Sequence, residues 1–165
     1  MTLEKLVNIF QVFVSGGTID STYFYPHGIL KDFGYGDYFK IDTVQSRKYP
    51  YLWVISNPSY VKGTSLQLTF TFVFADILDS NESNLLQVQS DMLQCATDMI
   101  AFYSTNFGYG MPGSTLFDIR LDESSVYLEP FLHLRDNETA GYIMRATFIM
   151  PQSLNFCNQP NYNNA

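Results

Sequence analysis

Carboxylates, histidines, cysteines and glycine-rich turns are the residues of this 165-residue chain whose types and spacing suit chemistry. Asp76 and Asp79 in Asp76-Ile77-Leu78-Asp79 form a pair of the kind that holds a metal or divides acid and base work. Their setting points elsewhere, because Asp76 closes a strand pattern and Asp79 with Glu82 has the spacing of a capping box at a helix start. Neither His27 nor His133 has a nucleophile in sequence reach, and His133 falls on the strand face opposite Leu132 and Leu134, as a solvent- or interface-facing residue does. Cys95 and Cys157 stand far apart without Cys or His neighbours at metal-ligand spacing, so free thiols are expected instead of a zinc site or a disulfide framework. Gly34-Tyr35-Gly36 and Gly108-Tyr109-Gly110 lack the Gly-Lys-Ser/Thr or the completed dinucleotide fingerprint that would make them phosphate cradles, and they read as turns. No catalytic, metal-binding or cofactor-binding residue is expected, and no cofactor.

Composition narrows the function classes further. Nine Lys and Arg against 16 Asp and Glu give a net charge of −7, which argues against gripping nucleic acid through its phosphates. The charged fraction of 15 % is below the roughly 25 % of ordinary soluble domains, while 46 % of residues are hydrophobic and 16 % aromatic. Disorder is excluded for most of the chain, and more apolar surface is implied than a monomer of this size easily hides. Residues 1–14 lack the basic, apolar and small-residue zones of a signal peptide, and no uncharged apolar run approaches the roughly 18 residues needed to cross a bilayer. A protein made in the cytoplasm, without membrane partners, is expected.

The elements that must position any site follow from periodicity. Leu3, Leu6, Val7, Phe10 and Val14 recur at helical spacing and predict a helix over 2–15, stopped by Gly16-Gly17. Residues 18–49 are irregular and aromatic, with Phe33-Gly34-Tyr35-Gly36-Asp37 as a turn cluster, so they read as a loop or arm holding one or two short strands. Residues 51–56 predict a strand and 57–63 a hairpin-type connection. Leu66, Leu68, Phe70, Phe72 and Phe74 alternate with Gln67, Thr69, Thr71, Val73 and Ala75, the mark of a strand with one core face. A second helix is predicted from Asp79 through Tyr103, with Val88, Met92, Ala96, Met99 and Tyr103 on its buried side.

Three alternating segments then read as an antiparallel meander turning at Asp122-Glu123-Ser124 and Asp136-Asn137-Glu138. Pro130 marks an edge or bulge within it. Together these predict a single α+β domain over 1–151, an antiparallel sheet with both helices on one face, followed by an Asn-rich tail over 152–165.

Five stretches carry a family resemblance. They are Phe33-Gly34-Tyr35-Gly36-Asp37, Tyr49-Pro50-Tyr51-Leu52-Trp53-Val54, Leu68-Thr69-Phe70 with Asp76-Ile77-Leu78-Asp79, and Gln89-Ser90-Asp91-Met92-Leu93-Gln94. With them the chain, from about residue 3 to 150, resembles a recurring small protein of tailed bacteriophages of Bacteroidetes, including the crAss-like group. The resemblance implies a neck or tail-junction protein similar to the tail-terminator and head-tail-completion families. In these a tail-terminator-like α+β subunit assembles as a homo-oligomeric ring around the DNA channel. It also implies a structural virion protein assembled in the host cytoplasm. Its partners would be other neck, portal or tail proteins, and DNA would pass without specific binding. The long 18–49 segment leaves terminator, adaptor and other collar rings open.

Two further classes stay beside this one: a carbohydrate- or peptide-binding module using exposed aromatics, and a small cytoplasmic enzyme, for which no polar constellation assembles. For the ring, the aromatic segment and the 105–114 loop nominate Phe33, Tyr35, Tyr38, Phe107 and Tyr109 as interface residues. The acidic turns nominate Asp122, Glu123, Asp136 and Glu138 for the channel or its rim.

Overall fold

An amphipathic segment that ends in two glycines closes as helix α1, Leu3–Ser15, with Leu6, Ile9, Phe10 and Phe13 against the core. Gly16, at φ +71°, ends it by donating its N–H to the Val12 carbonyl (2.9 Å), a left-handed position that glycine adopts without strain. The buried stripe is rotated from the expected one: Ile9 and Phe13 join it, while Leu3 is exposed and Val7 lines the surface.

The computed structural model describes residues 3–37, 40–41, 47–107, 119–132 and 138–151. After α1 come β1 (Gly17–Ile19), β2 (Thr22–Phe24), β3 (Asp32–Tyr35), β4 (Tyr51–Ser56), β5 (Tyr60–Lys62), β6 (Ser65–Ile77), α2 (Leu85–Phe107), β7 (Arg120–Leu132) and β8 (Thr139–Pro151). The main sheet has the order β3-β4-β6-β8-β7, with β5 also on β6. It is antiparallel except for β3 beside β4, and β1 and β2 form a separate hairpin. An α+β domain with both helices on one sheet face is therefore present, and no helix among the described residues is long and apolar enough to cross a membrane.

The alternation in β6 sets the whole arrangement. Leu68, Phe70, Phe72 and Phe74 point into a core shared with α1 and α2. The Phe10 ring meets Phe70 and Phe72 edge-on at 5.4 and 5.0 Å, a geometry that aromatic quadrupoles favour. From α2 come Val88, Met92, Cys95, Ala96, Met99 and Tyr103, and the Tyr103 hydroxyl donates to the Ile119 carbonyl at 3.0 Å. Burying side chains of this size stabilises by about 1.5–3 kcal/mol each, so this layer dominates the stability of the fold.

Several expectations are corrected. Phe33-Gly34-Tyr35-Gly36 is mostly strand β3, not a turn cluster. A Cβ on Gly34 would collide with the Trp53 indole, and the indole Nε1–H donates to the Gly36 carbonyl at 3.3 Å. Among the described residues the 18–49 segment carries β2, β3 and most of β1, of which β3 joins the main sheet beside β4.

α2 starts at Leu85, because residues 79–84 form a turn. Asn84 accepts the Asp79 N–H on its side-chain oxygen and gives the first helical carbonyl to Val88, while the Asp79 carboxylate accepts from the Ser83 hydroxyl. The capping box is not made. The helix also runs past Tyr103 to Phe107.

The expected meander turn at Asp122-Glu123-Ser124 is a bulge inside one long strand, β7, where the pairing with β8 shifts between Asp122 and Tyr127. Pro130 sits on this strand, which is a sheet edge as expected. Residues 133–137, holding the other expected turn and His133, and the 115–118 part of the first meander segment lie outside the described residues, as does the tail over 152–165.

Candidate assembly surfaces

Among the described residues those suited to chemistry form no metal-ligand set, although Asp98, Asp91 and Asp76 all lie near enough to Cys95 to act on its thiol. Asp76 is half-buried, and burial raises its carboxyl above the usual range against the opposing pull of the Ile77 N–H bonded to it. Asp79 is exposed in the turn before α2. His27 has its Nε2 3.2 Å from Asp98 Oδ2, its ring lies against Phe13, and its Nδ1 is buried without a partner among the described residues. Asp98 in turn accepts from Gln94 at 2.7 Å, so the histidine ties the loop after β2 to α2. Among the described residues no nucleophile is bonded to this pair. Cys95 is fully buried, and burial, followed by Asp98 and Asp91, pushes its thiol up to about 12, which leaves it protonated at neutral pH. Among the described residues no three His, Cys, Asp or Glu side chains gather as metal ligands.

The expected interface residues separate. Phe107 is only 3 % exposed and belongs to an aromatic cluster with Phe24, Phe102 and Tyr103, so it is core and not interface. Phe33 is half-buried against the same core. Tyr35 is 41 % exposed and borders an open groove of about 660 Å³ with Leu3, Glu4, Val7, Asn8 and Gln11 of α1. Tyr38, Tyr109 and Asp136 lie outside the described residues.

Of the acidic positions, Asp122 is taken up locally. Its carboxylate accepts from the Ser124 N–H and hydroxyl, and Ser125 Oγ donates to its carbonyl while accepting the Thr147 N–H at 2.8 Å. Glu123 is exposed on that bulge and Glu138 is exposed before β8.

Exposed apolar groups mark surfaces that the sequence reading passed over. At the end of the sheet where β6 and β7 finish and α2 begins stand Ile77, Leu132 and Leu86, the last 81 % exposed. At the opposite end, on β5, stand Tyr60 and Val61. On and just after β2, Tyr23 and Tyr25 meet at 5.3 Å with rings at 89°. Parity held part of this signal, since Ile77 falls opposite the Phe70, Phe72, Phe74 face and Leu86 lies off the α2 stripe.

The sheet face turned away from the helices is divided. Toward β3 and β4 it is apolar: Tyr51, Trp53, Val73 and Ala75 are covered by Ile41, and the Arg47 guanidinium lies 4.2 and 4.7 Å from the Tyr51 and Trp53 ring centres. Toward β7 it is polar. Thr71 pairs with Arg145 and Thr69 with Thr147, the two threonine hydroxyls being 3.1 Å apart, and β7 adds Tyr127 opposite Arg145 and Arg120 opposite Ile149. Arg120, Tyr127 and Arg145 are exposed, and neither arginine makes an ion pair among the described residues. The helix layer has the opposite character: α2 carries Asp91 and Asp98 and no Lys, Arg or Glu in 23 residues. No protein-family model matches this chain, and no match was found among the curated proteins.

Proposed function

We propose that this chain is a structural virion protein that forms a ring in the neck or head-tail junction of a tailed bacteriophage, with DNA passing through it unbound. The observation that carries this reading is the placing of exposed apolar side chains at both ends of the strands, Ile77, Leu86 and Leu132 at one and Tyr60 and Val61 at the other. A subunit with different apolar surfaces on opposite ends suits a collar element stacked between unlike partners, the portal on one side and tail proteins on the other. The resemblance read from the sequence and the α+β architecture support the same reading. A net charge of −7 suits a bore that duplex DNA crosses without adhering, because a wall rich in Lys and Arg would release counterions and hold it. Glu123 and Glu138 are the exposed acidic positions for a rim.

Native mass spectrometry with negative-stain microscopy of the full chain tests the proposal. Cyclic oligomers with a central opening are expected, together with no retention of duplex DNA at low salt. A monomer at every concentration, alone and with neck proteins, would overturn it.

A further inference from the structure

We infer that the ring closes laterally by seating the α2 surface of one copy on the polar half of the open sheet face of the next. This rests on the ring reading and names its contact. A head-to-tail ring needs two different surfaces on each subunit that fit one another. The subunit has such a pair on opposite sides of one sheet: on α2 Asp91, which accepts from Gln87, and Asp98, which lies beside His27, and on β7 and β8 Arg120 and Arg145, which make no ion pair among the described residues.

The spacings agree. Asp91 and Asp98 are two helical turns apart, about 10 Å along one side of α2. Arg145 and Arg120 are separated by four residues along the strands and one strand across, about 14 Å, a difference that two arginine side chains take up easily. The exposed line of α2 through Ser90, Thr97 and Ala101 lacks the long charged side chains that would hold a sheet away. Tyr127, directly across from Arg145 and 56 % exposed, supplies an aromatic anchor, and Tyr and Arg are the residue types that concentrate binding energy at interfaces. A second copy fits this face better than nucleic acid does, because Asp122 and Glu129 alternate with the arginines, and such a mixed pattern matches separate point charges on a protein better than a continuous run of phosphates.

The two sides of the fold also divide the labour. The strand ends hold the apolar groups assigned above to axial neighbours, whereas the two faces of the sheet sandwich are left for copies of the same chain.

The test is a charge swap in the full chain, read by sedimentation velocity over a range of concentrations and by circular dichroism for folding. Arg145→Glu and Asp91→Lys are each expected to raise the concentration needed for assembly about tenfold or more, as like charges brought together do. The double variant is expected to restore assembly to near the wild-type range, and moderate salt to weaken the wild type. If Arg145→Glu misfolds, Arg145→Gln takes its place with a smaller loss expected. Rings unmoved by every single variant would overturn the contact while leaving the ring reading intact, whereas a wild-type chain that stays monomeric both alone and with neck proteins would overturn both. Binding of a short duplex to the wild type that is lost in Arg145→Glu, with assembly unchanged, would overturn the contact and give the face to nucleic acid.

Discussion

The two faces of the central sheet are built by the same strands and have opposite fates. Toward the helices, every second residue of β6 from Leu66 to Phe74 is a large apolar group packed against α1, α2 and β8. Toward the open side, the alternate residues are Val73 and Ala75 under Ile41 at one end, then Thr71, Thr69 and Gln67 at the other. A period of two lets one strand serve packing and surface at once, and each face can change almost independently of the other. The helix-covered face holds the fold together, and the polar half of the open face is available for contacts outside the chain.

Substitutions that separate the two faces test this division. Phe72→Ala, in the middle of the aromatic cluster, is expected to cost about 3–5 kcal/mol in chemical denaturation, against under about 0.5 kcal/mol for Arg145→Ala on the opposite parity. Similar costs at the two sites would break the comparison. Gly34→Ala probes the apolar half of the open face, where the new methyl group must displace Trp53. A loss of about 1–3 kcal/mol with a shift in tryptophan fluorescence is expected.

At the link between sheet and helix, Asn84→Ala removes the bonds to the Asp79 N–H and the Ile77 carbonyl and is expected to cost about 1 kcal/mol. Asp79→Ala, which loses an exposed contact with Ser83, is expected to cost only a few tenths, about 0.5 kcal/mol at most. The reverse order would restore Asp79 as the cap.

The effect smallest at neutral pH comes from Cys95. Its folded-state thiol is held above the unfolded value of about 8.5, so its contribution is intact below that pH and is lost as pH rises toward the folded value. Denaturation midpoints of Cys95→Ala and wild type, measured from pH 7 to pH 10, are expected to converge with rising pH. Parallel curves would show that the thiol is not held protonated by the fold.

Much of the helix-covered face was legible because it is written in short-range periodicity. The alternation of Leu68, Phe70, Phe72 and Phe74, the stripe of Val88, Met92, Ala96 and Met99, and the glycine stop after Ser15 each need only a window of a few turns. What escaped depends on residues distant in sequence or on ambiguous turn chemistry. Gly34 reads as a breaker until Trp53 is seen to need the space above it. Asp122-Glu123-Ser124 suits a turn and a bulge equally, because both use short polar side chains to satisfy the backbone. Phe107 was placed on a surface loop by the glycines after it, yet Phe24 and Tyr103 draw it into the core. The expected interface was therefore wrong at Phe107, and Tyr35 alone among the named aromatics stands at a described open surface. His27 and Asp98, 71 positions apart, leave no local signal at all.

The stapled bulge of β7 bears on how the protein behaves at high concentration. A straight edge of 13 residues would offer a row of bare amides and carbonyls to any other extended chain, the starting point of a fibril. Here Ser125 turns its hydroxyl into the ladder where a backbone group would sit, the strand kinks, and Pro130 removes one further donor. An interrupted edge of this kind is a poorer template for strand addition than a straight one, which lowers the tendency of crowded chains to add strand to strand.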